Sequence, residues 1–416
     1  MNNINQLLVQ AQAAYDAADW SSLIQYLQTL ILLEDLELSE LPKYQEHLLE
    51  LAIAVLESGD FQQRWEITKI FARLDKISVT PLIDILEDEN TEEELRWFAA
   101  RILGEMKNPE AIAPLVELLK STENEELQES AATALGQIGT IAIAALTELL
   151  TEAGTSENNY VSVEERRLLA VKVLSHIRQP ETIPLLLSVV QDSQVAVRAA
   201  AIEALSSFHD PRVPPVLVNA LDDLAAPVRR EAVRGLGFRP ELSSEFDLVG
   251  KLKSRLYDFN LDVCCAAAIA LSRMGCDRAA KDLFEVLVSP HTPSQLQLEA
   301  VRALSWVETV SSLEFLQQAL HQLQTPGVWR EIITVLGRIS NVTLTNKATK
   351  ILLQMLEENH PTIEVSSIKS AIALSLGQLG NMQAISKLTE LSTDKDPQVR
   401  LHAMAALKRL APEEAL

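Results

Sequence analysis

A pattern of small, apolar and polar positions recurs along this chain of 416 residues. It has the form V-R-x-x-A-A-x-A-L-G, with clear copies at residues 95–104, 127–136 and 228–237. A leucine closes ten copies, Phe71 closes an earlier one, and successive closing residues lie 31 to 40 residues apart. The closing leucines are Leu103, Leu135, Leu174, Leu205, Leu236, Leu271, Leu304, Leu336, Leu376 and Leu407. Self-similarity at such a period is typical of repeat proteins, so we predict about eleven structural repeats.

The positions within each copy predict a helix that packs closely against its neighbours. Four residues before the closing leucine stands a small or aliphatic side chain, as in Ala99, Ala131 and Ala232. One helical turn is 3.6 residues, so this column and the leucines share one face. Prolines such as Pro109 and Pro180 then end the helix, and a second apolar helix follows. We therefore predict an all-α fold of stacked two-helix units, an α-solenoid (superhelix).

Two other positions of each copy are chemically mixed, which indicates that they face solvent. They lie two residues before and two residues after the closing leucine. Across four consecutive repeats, these and nearby positions hold basic and aromatic residues, the types that dominate binding hot spots. The predicted partner-binding residues, which would form a groove, are Arg230, Arg234, Phe238, Arg273, Arg302, Trp306, Arg330 and Arg338. In the alternative, Phe238 and Trp306 are partly core, and the arginines pair with Glu231, Glu299 and Glu331.

The repeat signature resembles that of a known family. The stretches DPQVRLHAMAAL at 396–407 and APVRREAVRGL at 226–236 resemble the HEAT-like repeats of the phycobilisome-lyase type, over roughly residues 60–410. The resemblance implies a cyanobacterial source and a concave face lined by the pattern helices. It also implies that an arginine seven residues before each closing residue forms a ladder with acids of neighbouring repeats. The ladder is broken where its column holds Cys264, Gln297 and Trp329.

Residues 1–60 do not follow the repeat pattern, and they carry ten acidic residues and one basic residue, Lys43. We predict an acidic N-terminal helical cap over residues 1–60 and a HEAT-like repeat solenoid over residues 61–416. The alternative for the first segment is an acidic docking surface for a basic partner. Polar insertions at 151–165 and 358–367 account for the two longest intervals, and we expect them to be exposed loops.

Charge and composition exclude several classes of partner. The chain has 58 acidic and 36 basic residues, a net charge of −22. Nucleic-acid binding draws most of its affinity from basic residues, and anionic membranes attract them too, so we expect neither partner. The start of the chain lacks a signal-peptide pattern, and the longest apolar run, 263–271, is too short for a transmembrane segment. The three cysteines fit a reducing compartment, and we expect a cytoplasmic protein.

The sequence contains no motif that predicts catalysis, a cofactor or a metal. It lacks a glycine-rich phosphate loop, a zinc-spaced cysteine and histidine set and a nucleophile elbow. We therefore predict no catalytic residue, no metal ligand and no cofactor. Cys264, Cys265 and Cys276 are expected to be buried packing residues; the alternative is a redox or cluster site, which would need further ligands.

These observations favour a non-catalytic scaffold or assembly factor that grips a partner protein on its concave face. The resemblance places such a role in photosynthetic-complex biogenesis. It also implies an alternative, a bilin (phycobilin) lyase or lyase-isomerase acting on phycobiliproteins, with a tetrapyrrole ligand whose propionates the basic groove would bind. A second alternative is an iron–sulfur cluster carrier that uses the three cysteines. A fold does not fix a function, so the partner must be sought from the site.

Overall fold

The computed structural model describes residues 2–34, 44–151, 162–357 and 365–410. Within these ranges the chain is helical, with no β-strand. Its contacts divide it into two units, Met1–His209 and Asp210–Leu416. The helices of the first unit are α1 (Asn2–Asp16), α2 (Trp20–Glu34), α3 (Gln45–Ser58), α4 (Phe61–Leu74), α5 (Val79–Glu87), α6 (Glu93–Met106), α7 (Ile112–Ser121), α8 (Glu125–Ile138), α9 (Ile143–Thr151), α10 (Val163–Ile177), α11 (Ile183–Ser188) and α12 (Val195–Ser206).

The second unit continues the same alternation of helices. Its helices are α13 (Val213–Ala220), α14 (Ala226–Gly237), α15 (Ser243–Phe246), α16 (Leu248–Arg255), α17 (Leu261–Arg273), α18 (Asp277–Val288), α19 (Ser294–Val307), α20 (Val310–Gln322), α21 (Pro326–Gly337), α22 (Val342–Glu357), α23 (Ser366–Leu379), α24 (Ile385–Leu391) and α25 (Pro397–Leu410). The recurring pattern lies on α4, α6, α8, α10, α12, α14, α17, α19, α21, α23 and α25, which we call the pattern helices.

Of their two neighbours in the chain, most pattern helices pack mainly on the helix that precedes them, as α8 does on α7 and α14 on α13, whereas α21 contacts both α20 and α22. The sequence grouping, in which the pattern helix came first and its partner followed, was wrong on this point. The link before α8 is only three residues long, which suits an αα-hairpin. The link after α6 instead passes through Lys107 in the left-handed region (φ 54°) and a short 3₁₀ turn that begins at Pro109. That longer path leads the chain into the next hairpin.

The hairpins stack so that pattern helices pack on pattern helices. In the first unit α6 lies against α8 and α8 against α10; in the second, α14, α17, α19 and α21 form a continuous series, followed by α23 and α25. The preceding helices of neighbouring hairpins also touch, as α18 does α20. Each unit is therefore built of two helical layers, as predicted for a solenoid.

The core lies between these layers and follows the predicted columns. The small or aliphatic column is fully buried in every copy from Ala99 to Ala403, and the closing leucines are buried from Leu103 to Leu376. Glycines after the leucine let the helices approach closely. A Cβ on Gly104 would lie 2.6 Å from the Cα of Ala134, which no side chain could accept without movement. The predicted close packing is confirmed.

The arginine ladder implied by the resemblance is present between repeats. The guanidinium of Arg229 donates two hydrogen bonds to the carboxylate of Asp258 in the next hairpin, at 2.6 and 2.8 Å. It also donates to the carbonyls of Asp223 and Leu224 in its own hairpin. The other ion pairs of the same kind are Arg64–Glu94, Arg167–Asp192 and Lys369–Asp394. These four pairs each tie one repeat to the following one.

Where the ladder lacks a basic residue, another donor keeps the bond to the backbone. The Sγ of Cys264 donates to the carbonyl of Asp258 at 3.1 Å. The side-chain amide of Gln297 and the indole of Trp329 donate to the carbonyls of Leu287 and Leu323, at 3.2 and 2.7 Å. The break in the ladder therefore removes the ion pair between repeats but keeps the bond within each hairpin.

In the N-terminal segment, α1 packs against α2, and α3 packs against α4. The predicted boundary at residue 60 falls in the short turn between α3 and α4. The role of residues 1–60 as a cap stays a prediction. Most of both predicted insertion loops, 152–161 and 358–364, lies outside the described residues; 163–165 and 366–367 belong to the first turns of α10 and α23.

One stretch of the described chain, Glu125–Thr151, is long and apolar enough to cross a membrane by length and composition. It is not one uniform helix, because a 3₁₀ turn at Gly139–Ala142 separates α8 from α9. The halves belong to successive hairpins, since α8 pairs with α7 and α9 with α10. Helices that are packed inside a helical protein commonly have such an apolar composition, and the packing of α8 and α9 accounts for it here.

Candidate functional site

The eight predicted partner-binding residues all lie in the second unit, on or at the end of four consecutive pattern helices. These helices, α14, α17, α19 and α21, pack in series. We call the set the arginine face: Arg230, Arg234, Phe238, Arg273, Arg302, Trp306, Arg330 and Arg338. The repeat spacing therefore brings together residues that are separated by more than 100 positions in the chain.

The two mixed columns face solvent, as predicted. The position two residues after the closing leucine is exposed in each repeat from Glu105 to Arg409, and the position two residues before it is exposed or half-buried. On the arginine face, Phe238 is 60 % exposed and Trp306 is 57 % exposed. More than half of each ring is therefore open to solvent, whereas the alternative placed both rings partly in the core.

Three arginines of the face have carboxylate partners, as the alternative interpretation expected. Glu231 is buried, and its two oxygens accept hydrogen bonds from Arg230 Nε and from Arg234, each at 2.9 Å. Arg302 Nε donates to Glu331 at 2.6 Å, and its guanidinium lies 3.5 Å from Glu299. A guanidinium has five N–H donors, so these pairs fix the arginines while leaving donors directed to solvent.

The other arginines are less neutralised. Arg273 lies over the ring of Phe238, 4.1 Å from its centroid. Arg330 and Arg338 are exposed, and neither has a carboxylate within ion-pair distance among the described residues. The arginine face thus combines two open aromatic rings with guanidinium groups that retain unused donors. Such a surface can bind carboxylates bidentately and can cover apolar side chains.

A second surface, in the first unit, was missed by the sequence analysis. A groove of about 1070 Å³ is lined by Phe61, Trp97 and Arg101 and by five glutamates of α6 and α8. The guanidinium of Arg101 lies 4.1 Å from the centre of the Trp65 ring. The signal was available, because Trp65 and Trp97 both stand six residues before a closing residue. Four of the glutamates lie in first turns of helices, where acids stabilise the helix dipole, so they need no ligand.

Of the three cysteines that were expected to be buried, Cys264 is buried, whereas Cys265 and Cys276 are half-buried, Cys276 directly before α18. Cys264 is buried, and burial raises the pKa of its thiol. Cys265 is half-buried, and burial raises the pKa of its thiol to about 11. Burial thus disfavours the thiolate form of both residues. Among the described residues, no three His, Cys, Asp or Glu side chains are grouped closely enough to hold a metal ion.

The architecture defines an α-solenoid of HEAT-like repeats, which confirms the predicted fold class. A family model described as HEAT repeats matches residues 79–164 and 162–237. No curated protein sequence matches the chain.

Solved structures of long solenoids are similar in fold. A Kap121p mutant aligns with a TM-score of 0.53 at 15 % identity, over 98 % of this chain and 54 % of Kap121p. Importin beta aligns with a TM-score of 0.53 at 12 % identity, over 97 % of this chain and 65 % of importin beta. The chain thus spans about half the length of Kap121p.

A protein of the phycocyanin lyase complex of CpcE and CpcF from Nostoc sp. PCC7120 also aligns, at 21 % identity over 66 % of this chain and 94 % of that chain. Its TM-score of 0.28 supports no conclusion.

Proposed function

We propose that this protein is a non-catalytic scaffold whose arginine face binds an acidic segment of a partner protein. The main observation behind this proposal is the exposure of Phe238 and Trp306 beside guanidinium groups on adjacent pattern helices. Large exposed aromatic side chains gain free energy when a partner covers them. Arginine and tryptophan are also the residues that most often dominate protein interfaces.

The charges favour an acidic partner. Glu231, Glu299 and Glu331 hold three arginines in place, so a partner need not order those side chains on binding, which lowers the entropic cost. Arg330 and Arg338 can take carboxylates of the partner without displacing an ion pair in the described chain. The local excess of basic residues, ten against seven acids over 226–281, stands out against the net charge of −22.

Similar folds give the scaffold role a precedent. Kap121p has been solved bound to Pho4p and bound to Nup53p, and both complexes align with this chain at TM-scores of 0.53 and 0.52. Those partners belong to Kap121p. For this chain they support only the idea that a solenoid of this kind can hold another protein.

The test is a double substitution, Arg234→Glu with Trp306→Ala. Binding of a short fluorescent peptide rich in Asp and Glu would be measured by anisotropy, and partner proteins from the native cell by pull-down and mass spectrometry. We expect the peptide affinity to fall at least tenfold and the pull-down to be lost, because a charge is reversed and an aromatic anchor is removed. Helicity should not change, since both side chains are more than half exposed. Loss of the Arg234–Glu231 pair lowers the melting temperature, but Arg230 still pairs with Glu231, so the protein stays folded at the assay temperature.

The matched control is Lys172→Glu with His176→Ala. These residues occupy the same two columns in the first unit and are also exposed. The control should keep wild-type binding. Equal losses in both double variants, or no loss in either, would show that the arginine face is not the binding site.

A role in photosynthetic-complex biogenesis, a cyanobacterial source and a cytoplasmic location remain part of this proposal. The bilin lyase alternative predicts that the purified protein changes the absorbance of added bilin; an unchanged spectrum removes it. The iron–sulfur alternative predicts iron after anaerobic purification. Among the described residues, no third His, Cys, Asp or Glu side chain groups with Cys264 and Cys265 to complete a metal site, which opposes that alternative.

A further inference from the structure

The loops inside two neighbouring hairpins of the second unit carry large apolar side chains at their tips. The position twelve residues before the closing residue lies in this loop or at its edge in each repeat where the structure describes it. In the other described repeats it is glycine or polar: Gly59, Thr91, Glu123, Ser162, Ser193, Thr292, Gln324 and Lys395. In two successive repeats it is Leu224 and Phe259, which we call the apolar tips.

The apolar tips are completely open to solvent. Leu224 and Phe259 are fully exposed, and the neighbouring Tyr257 is 58 % exposed. Isolated exposed apolar residues are common on proteins, but here three large ones lie on two loops that are bonded to each other. Nothing in the fold requires apolar side chains there, because the other repeats use glycine or polar residues at the same position.

The two loops are fixed to each other by ion pairs and hydrogen bonds. The guanidinium of Arg229 donates to the carbonyl of Leu224 at 3.0 Å and to the carboxylate of Asp258, the residue before Phe259. From the other loop, Arg255 donates to the carbonyl of Leu221 at 3.0 Å and pairs with Asp222 at 3.2 Å. The side chain of Asp258 is only 4 % exposed, so this connection is shielded from water. The apolar tips are therefore presented on a preorganised backbone, which lowers the cost of docking.

The charges around the apolar tips indicate which kind of molecule can bind there. The two loops and the first turn of α17 contain Asp222, Asp223, Asp258 and Asp262 and no basic residue. The nearest guanidinium groups, of Arg229 and Arg255, are engaged with Asp258 and Asp222. Four carboxylates against these two guanidinium groups leave the surroundings of the tips acidic, which disfavours an anionic membrane. A second copy would bring the same carboxylates against each other, since a two-fold contact pairs identical patches.

We propose that the apolar tips are a second docking site, which inserts Leu224 and Phe259 into an apolar pocket of a partner protein rimmed by Lys or Arg. The site lies on the loops between paired helices, so it is separate from the arginine face on the pattern helices. The same partner could contact both surfaces, or each surface could take its own.

The first experiment places a photo-crosslinking phenylalanine analogue at Phe259 of the full chain in its native cell, with the same analogue at Thr292 as the matched control. A protein captured at 259 and not at 292 would then be purified. Its affinity would be measured for the wild type and for the double variant Leu224→Ser, Phe259→Ser. We expect at least a tenfold loss of affinity in the double variant, and weaker binding of the wild type at higher salt.

Several results would overturn this proposal. One is equal capture at 259 and 292, or none at either; another is an affinity that the double variant leaves unchanged. Flotation of the wild type, but not of the double variant, with phosphatidylglycerol vesicles would assign the tips to a membrane. Dimerisation in analytical ultracentrifugation that the double variant abolishes would assign them to a second copy. Val342→Ser, at a single apolar residue that is 82 % exposed, controls for a general loss of surface hydrophobicity. Arg234→Glu with Trp306→Ala leaves the tips intact, so failure of the arginine face can be told apart from failure here.

Discussion

The buried carboxylate of Glu231 lies between Arg230 and Arg234, 2.9 Å from each, and neutralises part of the charge that the arginine face presents. Glu331 has the same relation to Arg302. These carboxylates therefore have opposite effects on stability and on binding. The acids hold the guanidinium groups in place, and they also reduce the attraction between those groups and an acidic partner.

Glu231→Gln is therefore expected to tighten binding. Glutamine has a similar shape and can still accept a hydrogen bond through its carbonyl, but it carries no charge. The acidic peptide should bind severalfold more tightly than to the wild type in the same anisotropy assay. Glu203→Gln, an exposed position of the first unit, should leave the affinity unchanged. A weaker or equal affinity of Glu231→Gln would contradict the proposed polarity of the site.

The ion pair of Arg229 with Asp258 should be the costliest of the ladder to break. Both side chains are largely buried, at 12 % and 4 % exposed. Arg229→Ala leaves the Asp258 carboxylate buried without its main partner, so we expect a loss of about 3 kcal/mol in the free energy of unfolding. Urea denaturation followed by circular dichroism would measure it. Arg212→Ala, which breaks an exposed pair with Asp210, should cost less than about 1 kcal/mol.

The same pair predicts a pH dependence. Burial opposes ionisation of Asp258, but hydrogen bonds from Arg229 and from the Asn260 N–H outweigh it and hold the pKa of this carboxyl below its usual value. A lowered pKa in the folded state means that the stabilisation is complete above the unfolded pKa of about 4 and is lost as the pH falls further. The stability difference between wild type and Asp258→Asn should thus be constant from neutral pH to about 5 and shrink below about 4. A difference that grows on acidification would refute this assignment.

At the scale of the elements, the glycines after the closing leucines control how closely pattern helices approach. A Cβ on Gly104 would lie 2.6 Å from the Cα of Ala134, whereas one on Gly327, in the first turn of α21, would meet nothing within 4 Å. Gly104→Ala should therefore destabilise the protein by about 1–3 kcal/mol through overpacking. Gly327→Ala should stabilise it by about 0.5 kcal/mol through helix propensity. Chemical denaturation of both variants tests this, and similar shifts in the two would contradict close helix packing as the reason for Gly104.

The sequence was sufficient for much of the fold because the period of the repeat aligns equivalent positions. Columns such as that of Ala232 are uniformly small or aliphatic, and columns such as that of Trp306 are mixed, so burial could be predicted by comparing copies. The pairing of the helices could not be predicted by comparing copies. An alternation of apolar helices is the same whichever neighbour is the partner, and the choice depends on the geometry of links such as the one at Lys107.

The candidate site was predictable in part for the same reason. Adjacency of Arg234, Arg273 and Arg302 follows from the stacking of repeats. The ion pairs that partly neutralise the arginine face could be anticipated only as an alternative, because they depend on rotamers and burial. The apolar tips at Leu224 and Phe259 were visible in the sequence, but their exposure depends on loop geometry that no periodic pattern encodes.

At the scale of the whole molecule, the net charge of −22 affects the stability of the folded chain. Like charges repel within the folded chain, and salt screens that repulsion. The midpoint of thermal unfolding should therefore rise as NaCl is increased from about 10 mM to about 200 mM. Scanning fluorimetry would measure it. A midpoint that falls over this range would show that the ladder pairs outweigh the general repulsion.

The ladder column has a consequence for how such chains change over time. Its acceptor within each hairpin is a main-chain oxygen, which any amino acid supplies, so a donor can be exchanged in one step without a compensating change elsewhere. Thiol, amide and indole at Cys264, Gln297 and Trp329 each fill the position. A position that accepts such different donors does not require arginine. Arginine residues can therefore occur at the exposed positions instead, where they contact other molecules.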